Sequence, residues 1–200
     1  MEELLLLKKR IKRSVILIFT IIVFCIVILI IMNRFIIKKE YYKASDFKIN
    51  TIYSKIDYNN NGIDDYSDIL LGAKKNIGKT VSEEEFVIYS FKYAGYNINK
   101  MIKKDKHDKE KDTLSNFKEY LKRNAKRITK KINKIEEYQP GDILIFNNNI
   151  GIISDKRNKD GHPFIIYYKN KIVEEDIMKD IDIENHYRFD TSLINNELLS

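Results

Sequence analysis

The chain has 200 residues, with 36 Lys and Arg against 29 Asp and Glu and a formal net charge of +7. Part of that excess sits in the first 13 residues, and the remaining lysines are scattered among Ile and Asn rather than gathered in a stripe, which argues against nucleic acid as a partner. The single cysteine, Cys25, lies in an apolar run, so the rest of the chain has no disulfide, no thiolate metal cluster and no cysteine nucleophile.

Residues 1–13 form a basic tail containing Lys8, Lys9, Arg10, Lys12 and Arg13. The run that follows, Ser14 to Met32, has 19 residues without a charge, and only Ser14, Thr20 and Cys25 interrupt its apolar surface. At ~1.5 Å per residue such a helix crosses a hydrocarbon core of roughly 30 Å, so the pattern predicts one transmembrane helix over 14–32. The run exceeds the ~7–15 apolar residues of a signal peptide, and NRFIIKKEYY after it offers no small-x-small cleavage site, so a retained anchor is expected. The basic cluster in the tail predicts a cytoplasmic N-terminus and an extracytoplasmic C-terminal domain at the cell membrane.

Residues 33–50 read as a juxtamembrane stalk, with Phe35, Tyr41 and Tyr42 suited to the headgroup level. An ectodomain over 51–190 and a tail over 191–200 complete the expected organisation. The ectodomain is long enough for one hydrophobic core. Near its start, DYNNNGIDDYSD follows the spacing of a calcium-binding EF-hand loop. Asp57, Asn59 and Asn61 stand at positions one, three and five, Gly62 at the sharp turn, Ile63 at the carbonyl position, and Asp65 and Asp68 at positions nine and twelve. The other reading is an Asn/Gly/Asp turn whose side chains bond their own backbone.

DILLGAKKN then gives a helical face through Ile69, Leu70 and Ala73. Ser82 with Glu85 forms a capping box for a helix through Phe86, Val87, Ser90, Phe91 and Ala94, which Gly95 ends. Another helix is expected from Asp112 or Thr113 through Leu114, Phe117, Tyr120 and Leu121. After Gln139-Pro140-Gly141-Asp142 the pattern changes to short apolar runs at 143–146, 150–154, 164–168 and 171–173, separated by turn-forming residues; these are strands. The domain is therefore α+β, with helices first and an antiparallel sheet after them.

EEYQPGDILIFNNNIGIISDKRNKDGHPFIIYY, ending in EED and NHYRF, resembles domain-of-unknown-function family 1287, a relative of NlpC-type papain-like cysteine hydrolases of the cell wall. The resemblance extends upstream through KIDYNNNGIDDYSDILLGAKK, FKYAGYNINKMI and NFKEYLKRNA. It implies a papain-like fold, helices packed on an antiparallel sheet, in which a helix supplies a thiolate and the strands supply histidine. Histidine beside cysteine generates the nucleophile for attack on an amide carbonyl. Counting back from Ala94-Gly95-Tyr96 locates the family's cysteine at Glu83, or at Ser82 with a one-residue slip. Its first histidine falls on Asn149 and a later one on Tyr167.

The resemblance therefore implies a relative of cell-wall hydrolases that has lost catalysis, with peptidoglycan or another envelope protein as its partner. The alternative is a peptide hydrolase or amidase using non-standard residues, with Ser82 or Glu83 as candidates. His107 stands in a charge run, His162 in a turn and His186 near the last strand. No HxxxH, HExxH or His/Cys cluster points to zinc.

Overall fold

A computed structural model describes residues 1, 11–12, 14–28, 41–105 and 112–189, and the chain divides into two compact units, Met1–Glu40 and Tyr41–Ser200. In the first unit, residues 14–28 form helix α1, and its side chains, Ile16, Leu17, Phe19 and Phe24 among them, are exposed. Among the described residues no helix is long and apolar enough to cross a membrane. The transmembrane helix expected over 14–32 is thus unsupported by the described segment, and its residues 29–32 lie outside the described ones.

The second unit begins with residues assigned above to a stalk. Its chain enters through a bridge between Tyr42 and Arg157 and a 3-10 turn, Ala44–Phe47, with Ala44 and Ile49 buried. Residues 41–50 therefore pack as part of the globular unit. Helices α2 (Asp65–Lys74), α3 (Glu83–Tyr93), α4 (Ile98–Lys104) and α5 (Thr113–Asn124) follow.

Each of these four helices starts on a side-chain cap that satisfies otherwise unpaired N–H groups. Asp64 caps α2 and Asn97 caps α4. Ser82 and Glu85 form the expected capping box of α3, and Asp112 caps α5. Gly95, at φ +88°, ends the α3 region in a conformation that side chains disfavour. Helix α4 is an addition to the sequence reading; its signals are the Asn97 cap and the buried pair Ile98 and Met101.

Strands β1 (Lys126–Arg127), β2 (Ile143–Phe146), β3 (Asn149–Arg157), β4 (Pro163–Lys169), β5 (Lys171–Glu175) and β6 (Ile183–Arg188) form one antiparallel sheet in the order β1-β6-β2-β3-β4-β5. The fold is α+β. Side chains of successive strand residues point to opposite faces. On one face Ile143, Ile145, Ile150, Ile152 and Ile166 pack against Phe86, Val87, Phe91 and Phe117 of the helices. On the other face Leu144, Phe146, Ile153, Ile165 and Tyr167 pack with Tyr138, Met178 and Ile183. The connections before β2 and after β5 thus give the sheet a second buried face, and β2 is buried at all four positions. That double burial explains why ILIF reads as a continuous apolar run.

Candidate functional site

The N-terminus of α3 faces the turn between β2 and β3. Ser82 is exposed, and its hydroxyl accepts from the Glu85 N–H at 3.2 Å and donates to Glu85 Oε2 at 3.1 Å, while the Ser82 N–H donates to the same oxygen at 2.9 Å. These bonds complete a helix cap. No imidazole is among these partners.

Glu83 projects the other way, and its Oε1 accepts from the Ile150 N–H at 2.5 Å. Lys118 of α5 donates to the Asn148 carbonyl in the same turn. Burial pushes the Glu83 carboxyl above the ordinary glutamate range, although the Ile150 N–H and the nearby Lys118 charge pull it back. The helix N-terminus is thereby stitched to the start of β3 by a carboxylate.

Asn149 opens β3 directly beside Ile150, and its amide donates to Asn147 O at 3.3 Å. Glu83 and Asn149 are consequently neighbours across the helix–sheet junction. Tyr167 is not with them. It lies on the far face of the sheet, edge-on to Phe146 at 5.4 Å, and its hydroxyl donates to Glu175 Oε2 at 3.0 Å. Burial, with Glu175 beside it, pushes this phenol up to about 12, so it stays protonated at neutral pH.

The loop before α2 is closed by its own polar groups. Asp57 Oδ2 accepts from Gly62 N–H at 2.7 Å and Oδ1 from Asn61 N–H at 3.1 Å. Asn59 Oδ1 accepts from Asn61 N–H at 3.0 Å, and Asn61 Oδ1 from Ile63 N–H at 2.8 Å. Both amides donate to Asp68 Oδ2, Asn59 at 2.8 Å and Asn61 at 2.9 Å.

Asp65, a candidate ligand by spacing, turns instead into the core. It is fully buried and accepts from Tyr58 N–H at 2.9 Å and from the Tyr96 hydroxyl. Among the described residues no three His, Cys, Asp or Glu side chains are gathered to hold a metal ion.

One polar centre was not singled out by sequence reasoning. Asp142, in the turn before β2, is buried with His186 and Arg188 of β6. Arg188 donates to both Asp142 oxygens at 2.7 and 2.8 Å, and His186 Nε2 lies 2.9 Å from Oδ2. His186 Nδ1 lies 2.8 Å from Thr129 O, and Tyr138 stacks on the ring at 4.5 Å. Burial pulls the Arg188 guanidinium down, but the bonds and charge of Asp142 more than offset it, so Arg188 stands above its ordinary value.

His186 and Arg188 alternate with Tyr187 and Phe189, which pack in the helix-side core. Alternation alone reads the two polar residues as solvent-facing. The signal for burial was available only in the pairing of two motifs, QPGD and HYRF, far apart in sequence. His162 is also buried, in the β3–β4 turn, with its Nδ1 lacking a hydrogen-bond partner. His107 lies outside the described residues.

Residues 50–189 match the family described as Domain of unknown function (DUF1287). No curated protein and no solved structure matches the chain.

Proposed function

The chain belongs to the family Domain of unknown function (DUF1287), and on that premise we propose that it is a membrane-anchored, extracytoplasmic member with a papain-like, NlpC-type fold that has exchanged catalysis for a binding or scaffolding role at the cell envelope. The observation that carries this reading is the Glu83 carboxylate bonded to Ile150 N–H at 2.5 Å. A side chain so held, at the position where the resemblance expects a thiolate, crosslinks helix to sheet and attacks nothing. Ser82, the other candidate nucleophile, spends its hydroxyl on the cap of α3 and has a carboxylate rather than an imidazole beside it. The described histidine that makes side-chain hydrogen bonds, His186, spends both ring nitrogens on Asp142 and Thr129.

Anchoring rests on the uncharged run over 14–32 and on the exposed apolar side chains of α1. The partners that follow are the membrane itself and, outside it, peptidoglycan or another envelope protein.

The test is made on the full-length protein and its Ser82→Ala variant. Neither is expected to release peptide from muropeptides above a protein-free control, and the protein is expected to fractionate with membranes and be cut by protease added to intact cells. Turnover that Ser82→Ala abolishes would overturn the loss of catalysis. Recovery in the soluble fraction would overturn the anchor.

A further inference from the structure

We propose that the loop from Asp57 to Asp68 binds a calcium ion, with Asp68 and Asp57 as its charged donors and Asn59, Asn61 and the Ile63 carbonyl as its neutral ones. The loop's spacing alone also fits an Asx-rich turn, so the weight falls on Asp68. This residue is fully buried, its carboxylate faces the loop through the Asn59 and Asn61 amides, and its second oxygen, Oδ1, is buried without any hydrogen-bond partner. A buried carboxylate oxygen with no partner is costly, and a hard cation is the ligand that removes the cost without adding a proton.

The remaining donors have capacity to spare. A carbonyl-type oxygen carries two lone pairs. The Asn59 and Asn61 Oδ1 atoms and both Asp57 oxygens each accept one backbone N–H across the loop, which leaves each a lone pair for a cation. Gly62, at φ +84°, makes the sharp turn that calcium loops require at this position, and the Gly62 N–H bond to Asp57 fixes the first donor against it.

Asp65 itself remains a core residue under this proposal. Its bonds to Tyr58 and Tyr96 tie the loop to the α3–α4 connection. With two charged donors and an aspartate rather than a longer glutamate at the last position, the dissociation constant is expected on the order of 10⁻⁴–10⁻³ M, the range of extracellular modules.

The experiment uses the full-length protein stripped with a chelator, titrated with calcium alone and followed by thermal unfolding. Terbium, which takes the same oxygen donors, is excited through Tyr58 as a second readout. At about 10 mM calcium the melting temperature is expected to rise by roughly 3–6 °C, terbium emission to appear, and Asp57→Asn and Asp68→Asn each to lose both responses.

Absence of a shift and of emission in the unmodified protein would overturn the proposal. So would a calcium response retained in Asp57→Asn, a half-buried position at the loop rim where a folded variant is expected. An Asp68→Asn variant that melts higher than the parent, together with a parent indifferent to calcium, would overturn the proposal and identify the loop as a turn.

Discussion

Asp142 illustrates how much a single buried carboxylate can organise. It accepts from Gln139 N–H at 3.0 Å as well as from Arg188 twice, and it lies against His186. Each of those groups would lose a hydrogen-bond partner without it. Removing one partner of a buried ion pair leaves an uncompensated charge, so Asp142→Ala is expected to cost about 3–5 kcal/mol in urea denaturation. A loss under about 1 kcal/mol would show that water replaces the carboxylate.

Glu83 presents the opposite case, because burial holds its carboxyl above the ordinary range despite Ile150 and Lys118. A group raised on folding contributes stability that is fully present below its unfolded value and lost as pH rises through its folded value. Glu83→Gln keeps an oxygen for the Ile150 N–H and abolishes the titration. The variant is therefore expected to be more stable than the parent at neutral pH, with the gap closing as pH falls through the carboxylate range. A gap independent of pH, measured by denaturation at several pH values, would sink that account.

Among the elements, the α2–α3 contact depends on the absence of a side chain at Gly72. A Cβ there would lie 2.7 Å from Ser90 O, 2.8 Å from Tyr93 Cβ and 2.9 Å from Ser90 Cα. Two effects compete in Gly72→Ala. Helix propensity favours Ala by about 1 kcal/mol, whereas overpacking a tight contact costs about 1–3 kcal/mol. Because two of the three atoms met are backbone of α3, which cannot rotate away, packing is expected to win, and calorimetry should give a lower melting temperature; a rise would show that α2 shifts freely.

The same scale explains which elements were legible. Helices α2, α3 and α5 announce themselves through apolar spacing confined to one stretch of chain, and α3 through its capping box as well. Helix α4 has seven residues, too few for a periodic pattern to declare itself. Strand β1 has two residues, and it exists only because β6 lies beside it.

For the molecule as a whole, the sheet separates a helix-side core from a second core under residues 132–146 and 177–183. Arg157 is the device that closes this second layer. Fully buried, it donates to the carbonyls of Ile135, Gly161 and Tyr138, and burial pulls its guanidinium to about 10 although Asp142 acts to raise it. Its backbone also pairs with Tyr42, so the first residues of the globular unit and the connection before β2 meet at one strand end.

The sequence by itself determined the α+β class, the capping box of α3, the start of α5, the central strands and the apolar run over 14–32, because each depends on contacts within a few residues of chain. The loop from Asp57 to Gly62 was legible for the same reason: its hydrogen bonds span two to five residues. Only the tertiary structure decided which polar residues are partners. Glu83 meets Ile150 and Asp142 meets His186 across 67 and 44 residues, and Tyr167 goes to the face away from Glu83 because strand side chains alternate. Separations of that length are closed by the packing of helices on a sheet, and no local pattern records them.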